Sequence, residues 1–225
     1  MLSPSVRELV MRRADGVSME FLAGQWINLF FAEGGEALKR SYSIASAPDG
    51  TPSFELAVTR VTGGPASERL HSLEIGETLR AVGPFGVFTR APRSTKKALF
   101  VGTGTGIAPL RSMLRAALRN GSETELWLLL GVRHEEDILY RDELESLQAA
   151  HPGVRFEVTL SKPDASWTGR RGHVQAHVPE LARELGVDDL EVFICGLDRM
   201  VKSVKDLCRG PLGLGRKEVH HERYD

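Results

Sequence analysis

The sequence predicts a two-domain α/β protein: an N-terminal antiparallel β-barrel of the six-stranded type, followed by a doubly wound parallel sheet. Two observations carry this. Up to about residue 90, short apolar stretches alternate with glycine and proline turns, the texture of antiparallel strands. Beyond a polar, proline-bearing stretch at 91–96 the pattern changes to strand, helix, strand, helix, which requires a parallel sheet covered on both faces. The boundary falls in that stretch, dividing the chain into domains at 1–92 and 93–225.

The strands of the first half are expected at 6–11, 25–31, 40–45, 53–61 and 78–82, with a short helix at 66–73 inserted among them. In the second half, continuous apolar runs at 98–101, 126–130, 154–160 and 192–195 read as buried strands, and Val219 starts a last one. Between them, Ile107, Leu110, Met113, Leu114, Ala117 and Leu118 form one helical stripe, with Pro109 in the tolerated first turn and Gly121 past the end. Met200, Val201, Val204, Leu207 and Cys208 form another. No internal repeat or low-complexity segment interrupts the pattern.

Composition narrows the function. Hydrophobic residues at 41%, together with 23 glycines among 225 residues, match the share of a chain with a packed core. Lys and Arg number 29 against 30 Asp and Glu, so there is no basic excess of the kind that nucleic acid binding needs. The longest apolar runs fall far short of the ~20 residues of a membrane span, and no signal pattern opens the chain, so a cytoplasmic protein is expected. Two cysteines, Cys195 and Cys208, can build neither a disulfide framework nor a four-thiolate iron–sulfur cluster. Any electron chemistry therefore proceeds without a cluster of the chain's own.

Two segments carry chemistry. Gly102-Thr103-Gly104-Thr105-Gly106-Ile107-Ala108-Pro109 lies between a buried strand and a helix, where glycines admit a phosphate close to the backbone and the helix N-terminus supplies free N–H groups. Its third glycine comes one position too early for the dinucleotide fingerprint, and no Lys-Ser/Thr follows as in a P-loop. A ligand-free turn is the alternative. The second segment is Arg40-Ser41-Tyr42-Ser43-Ile44-Ala45-Ser46, with a fork for phosphate, a flat ring and a hydroxyl. Strand alternation puts Arg40, Tyr42 and Ile44 on one face and Ser41 and Ser43 on the other, unless the strand bends; an ordinary half-exposed strand is the alternative. His173 and His177 stand i, i+4 on an expected helix and His220 and His221 are adjacent, but no carboxylate or cysteine completes a ligand set, so no metal site is expected. No nucleophile elbow supports hydrolase chemistry.

Taken with Gly24-Gln25-Trp26, Gly64-Pro65-Ala66-Ser67-Glu68-Arg69-Leu70, Gly83-Pro84-Phe85-Gly86, Cys195-Gly196-Leu197-Asp198-Arg199-Met200 and the tail Glu222-Arg223-Tyr224, these segments stand in a familiar order. Over nearly its whole length the chain resembles the ferredoxin–NADP reductases and their relatives, the oxygenase reductases and cytochrome b5 reductases. The resemblance implies a flavin-binding barrel and a pyridine-nucleotide domain, with FAD and NADPH or NADH as cofactors whose rings meet in the cleft. By that likeness, Tyr42 lies against the isoalloxazine, Ser43 bonds near its N5 and Arg40 holds the FAD pyrophosphate. Gly64, Ala66 and Ser67 add the N–H groups and hydroxyl of a helix start, although Ser67 also suits a plain helix cap. Gly102, Thr103, Gly104, Thr105, Gly106 and Met200 would hold NAD(P)H, with Cys195 and Gly196 beside the nicotinamide; a buried apolar cysteine is the alternative.

The likeness also implies that Glu222 passes a proton or orients Ser43 and Cys195, and that Tyr224 packs near the flavin; a solvated tail is the other reading of Glu222. The chain ends in Asp225 without a further aromatic residue, so adenine stacking by such a residue is not expected. Ser161 and Lys162 resemble a 2′-phosphate pair, with Arg170 and Arg171 near enough in sequence to help, which favours NADPH. The family's barrel usually begins with a strand ahead of residues 2–6, so either an open barrel edge or a misplaced start is expected. The implied activity is electron transfer from NAD(P)H through flavin to a ferredoxin, flavodoxin or oxygenase component. The alternatives are a free-flavin or ferric reductase, against which the Gly64 turn speaks, and a non-catalytic nucleotide-binding regulatory module.

Overall fold

The computed structural model describes residues 1–33 and 36–224. Among them, five strands make the antiparallel half: β1 (Val6–Arg12), β2 (Trp26–Glu33), β3 (Glu36–Ser43), β4 (Ser53–Thr59) and β5 (Arg80–Phe85), with α1 (Pro65–Ser72) between the last two. They pair as β1-β4 and β3-β2-β5, and an isolated bridge between Ile44 and Leu56 joins the two sheets. Ile27, Leu29, Ile44, Leu56 and Leu70 fill the space between them, each at most 1% exposed. Arg7 of β1 donates to the carbonyls of His71 and Leu73 at 2.5 and 2.9 Å, which satisfies acceptors at the C-terminal end of α1. On its other edge β1 has no strand partner among the described residues.

The expected strand at 40–45 is the tail of β3, and the chain changes neighbours there. Ile44 still donates to the carbonyl of Gln25, but it bridges Leu56 on β4, and Ala45 donates to Glu55. The face rule therefore fails at this point, because the backbone turns from one sheet to the other immediately after Ser43.

The second half alternates strand and helix except where the two-residue β9 follows β8: β6 (Lys97–Thr103), α2 (Ile107–Arg119), β7 (Leu126–Val132), α3 (Arg141–Ala150), β8 (Val154–Leu160), β9 (Arg170–Arg171), α4 (Val178–Leu185), β10 (Leu190–Leu197), α5 (Asp198–Arg209) and β11 (Val219–Tyr224). The parallel order is β11-β10-β6-β7-β8-β9. Along β6, Ala98 and Phe100 face the α2–α3 side while Leu99 and Val101 face the α4–α5 side, the period of two that a doubly covered sheet demands. Strand order reverses between β6 and β10, so the crevice at their C-terminal ends is the switch point where such sheets take ligands.

His173 and His177 do not share a helix. His173 precedes a 3-10 turn at Val174–Ala176, and α4 starts only at Val178, with Pro179 in its first turn. Proline cannot donate to the preceding turn but suits a new helix start, so the two imidazoles are never set one turn apart. His177 Nε2 lies 3.1 Å from both Thr159 Oγ1 and the Arg171 carbonyl.

The two halves share one core. The buried cluster around α2 includes Ala45, Ala47, Ala57 and Phe88 from the first half and Phe100, Leu128 and Phe193 from the second. Every residue of α2 from Ile107 to Leu114 is buried. At its start, a Cβ on Gly106 would fall onto the Cys195 carbonyl, whereas a Cβ on Gly104, at φ +52°, would meet nothing. Gly106→Ala is therefore expected to cost about 3 kcal/mol of unfolding free energy, because backbone cannot retreat as a side chain can. Gly104→Ala should cost only about 1–2 kcal/mol, through its left-handed dihedral. Denaturant titration that ranked the two the other way would contradict this packing.

Glu8 of β1 faces the same shared core. Burial, reinforced by the Glu55 carboxylate and opposed by Arg111, lifts its carboxyl above the ordinary value. A group raised in the fold binds its proton more tightly than the unfolded chain does, so it costs stability as pH rises through its folded value. Glu8→Gln should raise the thermal midpoint near pH 8, and the gain should vanish as pH falls below the carboxylate range. A gain that did not depend on pH would count against this origin.

Candidate functional site

A cleft of about 700 Å³ lies where the halves meet. Its first wall is the end of β3, contributing Arg40, Ser41, Tyr42 and Ser43 together, because the chain turns at Ile44 and brings both strand faces to one rim. Arg40 is exposed and donates to the Lys39 carbonyl, and no carboxylate pairs with it among the described residues. Tyr42 is half-buried against the barrel core.

The second wall is the start of α1, where Gly64 is the cap residue and Pro65 the first helical one. Ala66 and Ser67 offer the first N–H groups of the helix, which have no acceptor inside it. The Ser67 hydroxyl is not presented to the cleft. It accepts from the Val61 N–H at 3.0 Å and lies 2.9 and 3.2 Å from the Gly64 and Val61 carbonyls, so it is taken up inside the turn. It makes no cap hydrogen bond either.

At the base, three distant segments converge. β11 runs beside β10 with Glu222 paired to Cys195, which aims Glu222 and Tyr224 at the end of β3. Tyr224 donates its hydroxyl to Ser43 Oγ at 2.7 Å, and Ser43 donates to Glu222 Oε1 at 3.2 Å. Burial lifts the Glu222 carboxyl above its ordinary value, against the pull of Ser43. The Cys195 thiol touches the Tyr224 hydroxyl, and burial followed by the nearby Glu222 carboxylate drives its pKa well up, so it is neutral. Burial does the same to the Tyr224 phenol.

The dinucleotide-type loop adjoins this base. Gly106 is required by its packing against the Cys195 carbonyl, Gly102 lies under the tip of the Leu110 side chain, and Gly196, at φ +145°, sits against Thr103 and Met200. Gly104 alone opens onto free space. Thr103 Oγ1 is buried without a hydrogen-bond partner, and Thr105 reaches Thr59 of the first half at 3.3 Å. Ser161 and Lys162 follow β8 at the same end of the sheet, with Lys162 exposed. Arg170 is not available beside them: its guanidinium is spread over Glu157 and both oxygens of Glu180, each at 3.0 Å. Arg171 donates to the carbonyls of Asp164 and Trp167. Sequence reasoning named Trp26 in a motif without a place in the site and missed Ala57 and Thr59, all of which line the cleft; the period-two spacing of Ala57 and Thr59 on β4 was the signal that could have found the last two.

Known proteins match this arrangement half by half. An oxidoreductase FAD-binding domain family matches residues 1–89, and an oxidoreductase NAD-binding domain family matches residues 100–206. Ferredoxin–NADP reductase B of Sorangium cellulosum is 62% identical over 228 aligned residues, covering 100% of this chain and 93% of that protein. The glycine betaine monooxygenase reductase subunit of Chromohalobacter salexigens is 31% identical over 91% of this chain, which spans 56% of that protein's length. Among solved structures, the Amycolatopsis cytochrome P450 reductase GcoB superposes with a TM-score of 0.86 at 28% identity, over 99% of this chain and 66% of that one. With both halves matched and a relative this similar from end to end, the chain belongs to the ferredoxin–NADP reductase family of FAD- and NAD(P)-binding oxidoreductases.

Proposed function

We propose that this chain is an NAD(P)H-dependent flavoprotein reductase that delivers electrons to a separate redox protein such as a ferredoxin, a flavodoxin or an oxygenase component. The observation that carries it is the convergence of Ser43, Cys195, Glu222 and Tyr224 on the line where the FAD-binding and NAD-binding halves meet. FAD bound in the cleft would supply hydride acceptance from NAD(P)H and one-electron release to the partner.

The residues present suit that group. The cleft volume lies in the range of cofactor pockets, Arg40 stands at its mouth without a carboxylate, and the Gly64 turn turns backbone toward it. On the other side, the open backbone at Gly104, the start of α2 and the unpartnered Thr103 hydroxyl suit a second dinucleotide. Arg40 would hold the pyrophosphate of FAD, Tyr42 would offer its ring a flat face, and the Gly102–Gly106 backbone would take the phosphates of NAD(P)H. Ser43 holds its proton toward Glu222 and accepts another from Tyr224, so the base of the cleft is a continuous hydrogen-bonded chain. Lys162 is the cation that favours NADPH, since Arg170 is committed to Glu157 and Glu180. Among the described residues no helix is long and apolar enough to cross a membrane. Both cysteines are free and buried, in keeping with the reducing cytoplasm as the compartment.

The purified protein is expected to be yellow with FAD, and anaerobic NADPH should bleach it at lower concentration than NADH. A colourless protein that cannot be loaded with FAD would overturn the reading, and a preference for NADH would remove the role of Lys162. Ser43→Ala should slow the limiting rate of flavin reduction by about a hundredfold, because it severs the link between Tyr224 and Glu222 and removes the hydroxyl from the first wall of the cleft, while the Gly64 turn and the Gly102–Gly106 loop keep their geometry. Stopped-flow traces that kept the parental rate would show that the chain at the base of the cleft is dispensable.

A further inference from the structure

The helix that follows the dinucleotide loop also grips the strand that forms the opposite wall of the cleft. Arg111 lies in the second turn of α2 and is 3% exposed. Its guanidinium donates to the Ala45 carbonyl at 3.0 Å and to Glu55 Oε2 at 2.6 Å on the barrel side. On its own side it forms a two-pronged bond to Glu143 of α3 at 2.9 and 2.5 Å, over the ring of Tyr140 at 4.0 Å. Ser112, fully buried, donates to the Ser46 carbonyl at 2.6 Å. Ala45 and Ser46 are themselves tied to Glu55 of β4, through the Ala45 N–H at 2.8 Å and the Ser46 hydroxyl at 3.1 Å.

The connection is short and stiff at both ends. From Gly106 to Arg111 is five helical residues, about 7–8 Å of rigid rise. From Ala45 back to Ser43 is two residues of chain already pinned to β4. The same helix face carries Arg115, within 3.7 Å of Glu55, and Arg119, 3.8 Å from Asp49. Arg111, Arg115 and Arg119 recur every fourth residue and so form one basic stripe along the seam.

We propose that Arg111 and Ser112 are positioning residues, which hold the dinucleotide loop in register with the Arg40–Ser43 wall by clamping the backbone just past Ser43. This rests on the reductase reading above. The clamp touches neither cofactor wall directly, so it acts on how the two are set against each other and not on how tightly either binds. A planar fork is suited to this role, because it holds the Ala45 carbonyl, Glu55 and Glu143 at once, which an ammonium cannot do.

The test separates the two sides of the clamp. Glu55→Gln combined with Ser112→Ala weakens the grip across the seam, whereas Glu143→Gln weakens the same guanidinium inside the second half. With the FAD-loaded protein, the seam variant is expected to lose at least tenfold in the limiting rate of reduction by NADPH, with the NADPH dissociation constant within twofold of the parent. Glu143→Gln should keep both within twofold, whatever it does to the thermal midpoint. In calorimetry of the cofactor-free protein, the parent and Glu143→Gln should unfold in one transition and the seam variant in two. A seam variant with the parental rate, or a Glu143→Gln protein that loses as much, would overturn the proposal while leaving the reductase reading in place. A parent that neither nicotinamide can reduce would bring down both, and Ser112→Ala alone, the mildest change, serves if the double variant fails to fold.

Discussion

The burial of α2 between the parallel sheet and the antiparallel half is the constraint on which the remaining geometry hangs. A surface helix normally turns one stripe inward, but here eight consecutive residues from Ile107 to Leu114 are buried, so each direction around the helix meets a different neighbour. The apolar directions meet the sheet and the alanines of the barrel. The remaining direction carries Arg111 and Ser112, which could not be buried without partners and find them in backbone carbonyls and two carboxylates. Exchanging a buried ion cluster for apolar packing of the same volume is often neutral for stability. What such a cluster does demand is a particular set of acceptors, and those acceptors lie on a particular stretch of the opposite half.

Much of the fold was legible because its signals are local. Continuous apolar runs marked the parallel strands, and Gly102 to Pro109 marked a strand-to-helix turn from its own residues. The site was legible only where a motif carries its geometry with it, as at Arg40-Tyr42-Ser43. Across a gap the sequence spoke only through the resemblance, which set Glu222 toward Ser43, and it was silent on the partners that occupy Arg170, Ser67 and Arg111. Arg170 looked like a cation for a phosphate, but Glu180, ten residues on, returns on α4 to occupy it. Ser67 looked like a cap or a phosphate donor, yet the turn that precedes it offers nearer partners. The arginines at 111, 115 and 119 stood in plain view at helical spacing, and an apolar stripe on the same helix drew the reading away from them.

Cys195 shows how two readings of one residue can both hold. Its side chain is fully buried in the core shared by the two halves, as an apolar filler would be. Its backbone carbonyl is the surface against which Gly106 packs, and its thiol touches Tyr224. A larger side chain would displace Tyr224 and with it the hydroxyl that reaches Ser43. A small neutral group here therefore serves the packing and the site through the same few ångströms of space.

The acid at the base of the cleft depends on the register of an edge strand only six residues long. Along β11, His220 stacks on Phe193 at 4.6 Å, Glu222 reaches Ser43 and Tyr224 reaches the same hydroxyl, all on one face. Arg223 turns the other way, to Asp198 at the start of α5. Side chains alternate along a strand, so a slip of one residue would carry Glu222 and Tyr224 to the α5 side and put His221 and Arg223 in their place against Ser43. A cation at that position would repel the guanidinium of Arg40 at the same cleft and leave Ser43 with neither of its partners. The stacked His220 and the Val219 side chain buried under α5 fix the parity from the two faces at once, and that parity decides whether the barrel strand meets a carboxylic acid or an arginine.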